Sequence, residues 1–419
     1  MLFSISLLAL GTAVSAAAVP TETLQSCLLT AVGTNDTLVA FPDDAQYQEN
    51  DVHPYNLDIP LVPAAVAYPQ SVEMISDIVK CAAKHEHKVQ ARTGGYSFGN
   101  YCLGGSNLTT VVVDTQHLKH FSMDQSTWIA TVGAGHRLQE VADKMSAAGQ
   151  RTIAQGVAPY VGIGGHATIG GLGPLSRQLG TAADQVVEVQ VVLANSTVAR
   201  ASRTENADLF FALRGAGAGF GVVTEFLFQT APEPGEEELL DYTFTIRNTS
   251  SSSSSAAAGN TTTAPSSREL YADTLKAWNA IVSAPALPWN LSSTATLHAN
   301  GLRIHGRYYG QRADFDALAL AARIPNILTA DVVSGVAADS ASGFRILGGD
   351  PGLVGNIEAN VPGVRGAYPG FVDPELGAEE GAAQYWGGNL PRLQRIKADV
   401  DPTDVFSNPQ SVKPAVVEE

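Results

Sequence analysis

Apolar residues recur at helical spacing in two stretches of the first third of the chain. In SVEMISDIVKCAAKH, residues 71–85, the apolar positions 72, 75, 78, 79 and 82 share one face behind Ser71, a residue suited to an N-cap. In HRLQEVADKMSAAG, residues 136–149, the shared face holds Leu138, Val141, Ala142 and Met145. Both patterns predict amphipathic helices that pack on a core through one side.

Short apolar runs around these helices predict strands. KVQAR (88–92), TTVVVDT (109–115) and WIATVGAG (128–135) each have the length of a strand. VVEVQVVLANSTVARAS (186–202) predicts two strands joined at Asn195-Ser196, and ENADLFFALRGAGAGFGVVTEFLFQT (205–230) predicts a helix, a glycine loop and a strand. This half of the chain is therefore mixed α/β, with glycine at its turns.

The pattern changes after residues 232–234. LLDYTFTI (239–246) and LRIHGRYYG (302–310) predict sheet strands, whereas ADFDALALAARI (313–324) predicts a helix. Residues 248–267 are rich in serine, alanine and threonine and predict a flexible surface insert. The end, YWGGNLPRLQRIKADVDPTDVFSNPQSV (385–412), predicts a helix with Leu393 and Ile396 inward and then a turn.

Three glycine-rich loops interrupt these elements. The first glycine loop, RTGGYSFGNYCLGG, spans residues 92–105, the second spans 156–180 with eight glycines, and the third spans 215–221. Glycine lets backbone N–H groups approach an anion, because no Cβ stands in the way. Tight turns also use glycine, but three such loops in one half of the chain favour contact with a flat, rigid ligand.

Positions 162, 164 and 167 in the second loop match the G-x-G-x-x-A fingerprint of dinucleotide-binding helices, with Asp184 downstream. We reject that interpretation because Pro159 interrupts the segment just before the glycines, where the fingerprint requires a buried strand, and no such strand is present in the pattern. His166 has the chemistry of a base or a metal ligand, although a satisfied structural histidine is the commoner role. His305 and Tyr308 either face a substrate or decorate a sheet edge.

Charge and motifs exclude several classes of protein. The net charge of −16 argues against nucleic acids and anionic membranes, which require clustered basic residues, so we expect neither partner. No C-x-x-C, H-E-x-x-H or carboxylate cluster has metal-ligand spacing, and we predict no metal. No G-x-S-x-G motif supports an acyl-transfer serine.

Several features predict a secreted protein. The apolar start followed by small residues predicts a signal peptide over residues 1–18. Three cysteines fit an oxidising compartment, and we pair Cys27 with Cys81 and leave Cys102 free, although sequence alone does not establish this connectivity. Candidate glycosylation sites are the sequons at Asn35, Asn107, Asn195, Asn248, Asn260 and Asn290.

Four segments resemble the secreted FAD-linked oxidases of the berberine bridge enzyme and glucooligosaccharide oxidase group, with their p-cresol methylhydroxylase-type FAD domain. They are ARTGGYSFGNYCLGG, VGIGGHATIGGLGPLSRQLG, TENADLFFALRGAGAGFGVVTEF and YWGGNLPRLQRIKADVDPTDVFSNPQS. The resemblance implies an α+β, two-domain fold of vanillyl-alcohol-oxidase type. It places an FAD domain of two α/β subdomains at 19–232, a substrate domain with an antiparallel sheet and flanking helices at 233–370, and a returning C-terminal segment at 371–419.

The resemblance also implies which residues hold the cofactor. The pyrophosphate cradle would comprise Arg92, Thr93, Gly94, Gly95 and Ser97. Other contacts would come from Gly162, Gly165 and His166 along the FAD, Gly221 and Val223 near its adenine end, and Asn389 by the isoalloxazine. Relatives move a hydride from a carbon to flavin and pass electrons to oxygen. We therefore expect a small-molecule substrate and molecular oxygen as partners of a monomer.

Two departures concern attachment of the flavin. Tyr96 stands where the family has a histidine bonded to the flavin, and Ala158 stands where bicovalent members have a cysteine. Phenol and methyl groups cannot form those bonds, so we predict noncovalent FAD with Tyr96 packed against the ring edge. A covalent link raises the flavin potential in this family, so the flavin here should be a weaker oxidant.

A third departure removes a base. Relatives usually carry Asn-Tyr where Gly370-Phe371 stands, and that tyrosine takes the substrate's proton. Losing a general base costs about 10²–10⁴-fold in rate, and Tyr368, Asp373 and Tyr385 are the candidate catalytic replacements. The stretch between positions 310 and 363 also looks shorter than in relatives.

The leading hypothesis is a secreted, noncovalent FAD-dependent oxidoreductase acting on a secondary metabolite rather than a sugar. A second is a flavin-bound protein whose fold shapes a non-redox reaction such as a cyclisation. A third is a non-enzymatic glycoprotein, a decayed oxidase, which the combined loss of the family's histidine and tyrosine motivates.

Overall fold

The computed structural model describes residues 22–235, 238–246, 266–298, 301–334 and 367–415. The predicted signal peptide, Asn248, Asn260 and most of the predicted 248–267 insert lie outside the described residues. Within the described ranges the chain forms three principal sheets with helices packed on them.

The first sheet carries the start of the first glycine loop. Its strands, in spatial order, are β1 (Val39–Ala40), β2 (Ala65–Ala67), β4 (Thr110–Asp114) and β3 (Lys88–Arg92). β2, β4 and β3 run parallel, and every residue of β4 is buried, as expected for a parallel strand covered on both faces. The predictions for residues 88–92 and 109–115 are confirmed.

Two helices, α1 (Leu24–Ala31) and α2 (Val72–Lys84), pack together beside this sheet. The predicted cap of α2 is confirmed, since the Ser71 hydroxyl accepts the N–H of Met74 at 3.3 Å. The predicted disulfide is also confirmed: Cys27 and Cys81 are bonded and Cys102 is free. The bridge spans 54 residues and contributes about 4 kcal/mol by loop-closure entropy.

The second sheet is antiparallel and holds the largest core. Its strands, in spatial order, are β5 (Phe121–Asp124), β6 (Ile129–Gly133), β10 (Val222–Gln229), β8 (Val186–Val192) and β9 (Val198–Ser202). A small pair joins β7 (Arg151–Thr152) to β11 (Ala231–Pro232). The associated helices are α3 (Leu138–Ala147), α4 (Ile163–Thr168), α5 (Ser176–Leu179), α6 (Ala182–Gln185) and α7 (Ala207–Leu213). The strand and helix predictions for residues 128–149 and 186–230 are confirmed.

The third sheet is also antiparallel. Its strands, in spatial order, are β13 (Thr294–His298), β14 (Gly301–Tyr309), β12 (Leu239–Ile246) and β15 (Ile327–Ser334). One face buries Phe244 and Ile304 against α8 (Ser267–Val282), which the hydrophobic pattern had not indicated. The single helix predicted over 313–324 is instead two, α9 (Arg312–Ala317) and α10 (Leu320–Arg323). Ala319 separates them because it adopts a left-handed φ of 48°.

The C-terminal segment returns to the second sheet. It contains α11 (Ala378–Trp386) and α12 (Leu390–Val400), and α12 places Leu393 and Ile396 in the core of that sheet, as predicted. The architecture is the predicted α+β fold, with the third sheet as a separate layer. In the described part of the chain, no helix has both the length and the apolar character that a membrane span requires.

Candidate functional site

The three glycine loops lie against one another. A Cβ placed on Gly94 would lie 2.6 Å from the Gly162 nitrogen, so the first and second loops touch through bare backbone. A Cβ on Gly217 would lie 2.6 Å from the Cβ of Thr168, where the second and third loops meet. No real side chain fits at such distances. The loops therefore form one surface, here called the glycine surface, and only glycine allows its parts to approach.

Other glycines of this surface face open space. Gly165 and Gly215 have no atom within 4 Å of the position that a Cβ would take. Beside the third loop, the Nε of Arg214 is buried without a hydrogen-bond partner among the described residues. The guanidinium of Arg214 is held inside the protein, over the ring of Phe210 at 5.0 Å and donating to the carbonyl oxygen of Ala183 at 3.4 Å. The open backbone of adjoining loops itself lets N–H groups approach the phosphates of a planar ligand. The glycine surface therefore fits FAD.

The side chain of Arg92 points into the protein. Its Nε donates to Asp114 at 2.6 Å, and its Nη1 donates to the carbonyl oxygens of Asp51 at 2.7 Å and Val52 at 2.8 Å. Asp114 compensates the charge of this buried guanidinium. The side chain of Arg92 therefore adds no free positive charge to the predicted cradle, and its backbone remains available to a cofactor.

Other predicted cradle side chains are also bonded locally. Thr93 is buried and its hydroxyl lies 3.1 Å from the carbonyl oxygen of Ala134. The Ser97 hydroxyl accepts the N–H of Tyr101 at 2.8 Å, and Gly95 has a left-handed φ of 77°. The first loop is thus held by its side chains and offers chiefly its backbone to a ligand.

His166 closes the second loop on itself. Its Nε2 accepts the N–H of Gly156 at 3.0 Å, which places the ring proton on Nδ1. Burial lowers the pKa of His166 to about 4, because the charged imidazolium is disfavoured in the interior. The ring is therefore neutral at physiological pH, as expected of a structural histidine.

Three other predicted cofactor residues occupy different surroundings. Val223 is in the core of the second sheet and pairs with Val191, while a Cβ on Gly221 would collide with Val191 itself. The missing side chain of Gly221 thus serves strand packing. Asn389 is exposed between α11 and α12. Contact between the backbones of these residues and a cofactor stays a prediction.

Residues 367–415, which contain the described part of the C-terminal segment together with residues 367–370 before it, touch each loop in turn. The hydroxyl of Tyr368 accepts the N–H of Gly171 in the second loop at 2.9 Å. The ring of Phe371 stacks on Phe98 of the first loop with centroids 5.6 Å apart. The indole of Trp386 donates to the carbonyl oxygen of residue 215 at 3.4 Å, a long hydrogen bond to the third loop. This segment therefore joins the three loops from one side.

A buried cation fastens α12 to the third loop. Lys397 is fully buried, and its Nζ donates to the carbonyl oxygen of Gly219 at 2.6 Å, to Asp401 at 2.6 Å and to the carbonyl oxygen of Phe406 at 2.9 Å. Asp401 is equally buried and accepts the N–H of Phe406 at 2.9 Å. The sequence analysis missed this network, because a lysine in a helix ordinarily indicates a solvated face.

The candidate catalytic residues are already engaged with the backbone. Tyr385 accepts the N–H of Asp373 at 2.9 Å, and a carboxylate oxygen of Asp373 accepts the N–H of Glu375 at 2.9 Å. Burial raises the pKa of Tyr368 and of Tyr385, which makes each phenol harder to ionise. The structure thus brings Tyr385 and Asp373 together and leaves Tyr368 at the second loop.

Five rings form a continuous row that the sequence analysis treated only in part. The centroid distances are 5.2 Å from Tyr96 to Tyr55, 5.7 Å from Tyr55 to Phe98, 5.6 Å from Phe98 to Phe371 and 5.2 Å from Phe371 to Tyr368. We call this set the aromatic row. Tyr55 and Phe98 were missed because a lone aromatic residue in a loop carries no periodic signal.

Arg177 connects the second loop to the third sheet. Its guanidinium donates to the carbonyl oxygens of Pro288 at 3.1 Å and Leu291 at 2.8 Å, and it lies over the ring of Trp289 at 5.4 Å. These residues directly precede β13. The contact ties the predicted substrate domain to the glycine surface.

The fold and the glycine surface define an FAD-linked oxidoreductase. An FAD binding domain family matches residues 63–202, and the berberine and berberine like family matches residues 367–413. The FAD-linked oxidoreductase sorD of Penicillium rubens is 31% identical over 484 aligned positions that cover 93% of this chain and 98% of sorD. The chain therefore belongs to the berberine bridge enzyme-like family of FAD-linked oxidoreductases, as the motifs indicated.

Solved structures agree with this assignment. The xylooligosaccharide oxidase from Myceliophthora thermophila C1, in complex with xylobiose, superposes with a TM-score of 0.78 at 25% identity over 94% of this chain and 100% of that one. The glucooligosaccharide oxidase from Acremonium strictum, which carries a 6-S-cysteinyl, 8α-N1-histidyl FAD, gives 0.74 at 25% identity over 94% and 100%. The 484 positions aligned with sorD exceed the 419 residues of this chain, so sorD has segments that this chain lacks.

Proposed function

We propose that this protein oxidises a small organic molecule, with FAD held only by contacts and with molecular oxygen as the final electron acceptor. The observation that carries the proposal is the glycine surface, whose open backbone at Gly165 and Gly215 fits the cofactor. Bound FAD would supply the hydride acceptor. The protein's own contribution is to orient that group between the glycine surface and the C-terminal segment.

Noncovalent attachment follows from the two altered positions. Tyr96 stands in the first loop with its ring against Tyr55, and Ala158 in the second loop offers only a methyl group. Neither side chain offers the imidazole nitrogen or the thiol sulfur through which the Acremonium strictum oxidase holds its FAD, and this supports noncovalent attachment. Acid precipitation of the native protein should leave a yellow supernatant of released FAD. A yellow pellet would contradict noncovalent attachment. The control is flavin-free protein precipitated after addition of free FAD, which shows how much unbound FAD the pellet traps.

The substrate that we propose is a secondary metabolite rather than a sugar. Phe371 lacks a proton acceptor, and the hydroxyls of Tyr368 and Tyr385 accept backbone N–H groups. Asp373 is the remaining candidate base, and one of its carboxylate oxygens accepts the N–H of Glu375. A site with so few groups able to take a proton is poorly suited to a sugar alcohol. Candidate substrates should bleach the flavin without oxygen and yield hydrogen peroxide when oxygen is admitted. If xylobiose bleaches the flavin and no member of a metabolite panel does, the proposed substrate class is wrong.

The same bonded hydroxyls favour a second candidate, a non-redox reaction such as a cyclisation on the flavin-bound protein. The two candidates differ in their dependence on flavin state. An oxidoreductase turns over only when its flavin is oxidised, whereas a cyclase should work equally well with photoreduced flavin. Peroxide formation with any substrate would also exclude an inactive relative.

Secretion and glycosylation belong to the same proposal. The sequon residues Asn35, Asn107 and Asn195 are exposed, whereas Asn290 is partly buried and its amide donates to the carbonyl oxygen of Tyr309 at 2.7 Å. We expect glycans on the first three and none on Asn290. Mass analysis of glycopeptides from protein secreted by a eukaryotic host checks this, and unmodified peptides at the three exposed sites would contradict it.

A further inference from the structure

Three of the five rings of the aromatic row are exposed. Tyr55 is 46% exposed, Tyr96 is 40% exposed and Phe371 is 49% exposed, and the rings are contiguous. Isolated exposed aromatics are ordinary, but a connected group of them marks a place where another apolar body binds.

The row stands on a rigid base. Asn100 is fully buried, and its amide donates to the carbonyl oxygen of Asn56 at 2.7 Å while its oxygen accepts the N–H of Asn56 at 3.0 Å. The amide of Asn56 in turn donates to the carbonyl oxygen of Phe98 at 2.8 Å. These bonds lock the segment that carries Tyr55 onto the first loop. A ligand therefore meets rings that are already in place, which lowers the entropy cost of binding.

The geometry of the rings selects the kind of ligand. The planes of Tyr55 and Phe98 differ by 12°, and those of Phe98 and Phe371 by 14°, so the three rings are nearly parallel. Phe98 and Phe371 offer no hydrogen bond, and the hydroxyl of Tyr368 is bonded to Gly171, so the polar groups of the row are the hydroxyls of Tyr55 and Tyr96 at one end. A sugar needs hydrogen-bonding partners along its length, whereas a flat conjugated molecule gains from stacking on such rings.

We infer that the aromatic row from Tyr55 to Tyr368 is the substrate-binding wall, with Tyr96 at its flavin end, and that it takes a flat, conjugated, largely apolar molecule in place of an oligosaccharide. This inference rests on the proposed function, because it names the substrate class of the same site.

The test is calorimetric titration of the FAD-loaded protein with three probes: umbelliferone, its methyl ether herniarin, and xylobiose. Both flat coumarins should bind at least about 10-fold more tightly than xylobiose, since each stacked ring pair contributes a factor of about 2 to 10. Tyr55→Ala should weaken coumarin binding by about 2- to 10-fold. Tyr55→Phe should not, because it keeps the ring.

Leu328→Ala is the control away from the row, since Leu328 on β15 is 58% exposed and should not affect any probe. Equal affinities for coumarins and xylobiose would overturn the inference. So would a Tyr55→Ala protein that loses FAD affinity but keeps coumarin affinity, because the row would then serve the cofactor. A preparation that retains no FAD contradicts the proposed function instead, and the same titrations on that protein still decide whether the row binds flat ligands.

Discussion

In the glycine surface almost every polar side chain is already bonded within the protein, whereas the aromatic row leaves three large rings in contact with solvent. Arg92 is paired with Asp114, His166 accepts a backbone N–H, and Lys397 fastens the third loop from behind. The rings of the row are fixed at their backbones, and Tyr55, Tyr96 and Phe371 remain exposed. The glycine surface is thus continuous with the core, whereas the aromatic row lies at the surface of the protein.

This difference teaches which positions tolerate change. A substitution behind the glycine surface disturbs folding, because close packing and buried charges leave no room for adjustment. A substitution in the aromatic row changes what is bound and leaves folding nearly intact.

Lys397→Met should have the largest effect on folding. It leaves the fully buried Asp401 without its cation, and loss of one partner of a buried pair costs about 3–5 kcal/mol. Urea unfolding measures the change. Lys413→Met is the matched control, since Lys413 is 45% exposed and shares the partner Asp404, and it should cost below about 1 kcal/mol. Equal losses in the two variants would show that burial does not decide the effect.

His166 should make the protein sensitive to acid. The pKa of His166 is about 4 in the folded protein against an ordinary value of 6.5, so the unfolded chain binds a proton first as the pH falls. The free energy of unfolding should therefore be highest above pH 6.5 as far as His166 is concerned. It should fall by about 3 kcal/mol in total as the pH drops from 6.5 towards 4.

The check on His166 is a difference between two pH profiles of unfolding. His166→Gln keeps an acceptor for the N–H of Gly156 but cannot be protonated, so its profile should be flatter over that range. The carboxylates that titrate in the same range contribute equally to the two proteins, so their effect on the free energy of unfolding cancels in the difference. Parallel profiles would contradict the low pKa of His166.

Gly94→Ala and Gly165→Ala should act in opposite directions on folding. The new Cβ at position 94 would collide with the second loop, which costs about 1–3 kcal/mol. Gly165 lies in α4 with open space beside it, so alanine there should stabilise the FAD-free protein by about 0.5–1 kcal/mol while weakening FAD binding. Gly235→Ala, also in open space, is the control for both measurements. Unchanged FAD affinity in Gly165→Ala would place the cofactor elsewhere.

Phe371→Ala should have the smallest effect on folding. Its ring is 49% exposed, so the free energy of unfolding should fall by below about 1 kcal/mol. Phe220→Ala is the counterpart in the third loop, where the ring is fully buried and its loss should cost about 3–5 kcal/mol. Thermal unfolding measures both variants. Similar losses of stability in the two would show that the aromatic row does not differ from the core.

Much of the fold could be predicted because its signals are local. The helix α2, the strands β3 and β4, and the three glycine loops all follow from the spacing of apolar residues and the position of glycines within a few residues. The order of these segments carried the family resemblance. The break at Ala319 was missed because the apolar pattern continues through it without interruption.

The roles of individual site residues depended on partners far away in the chain. Arg92 turns inward because the parallel register of β3 and β4 sets it beside Asp114, a neighbour that no sequence spacing shows. Lys397 meets Gly219 across 178 residues, and Phe371 meets Phe98 only when the C-terminal segment returns. Periodicity along the chain thus determined the elements and the bare-backbone loops, because it follows from backbone geometry. Tertiary packing alone decided which charges are neutralised and which rings form a wall, because those properties belong to pairs of residues that the chain itself keeps apart.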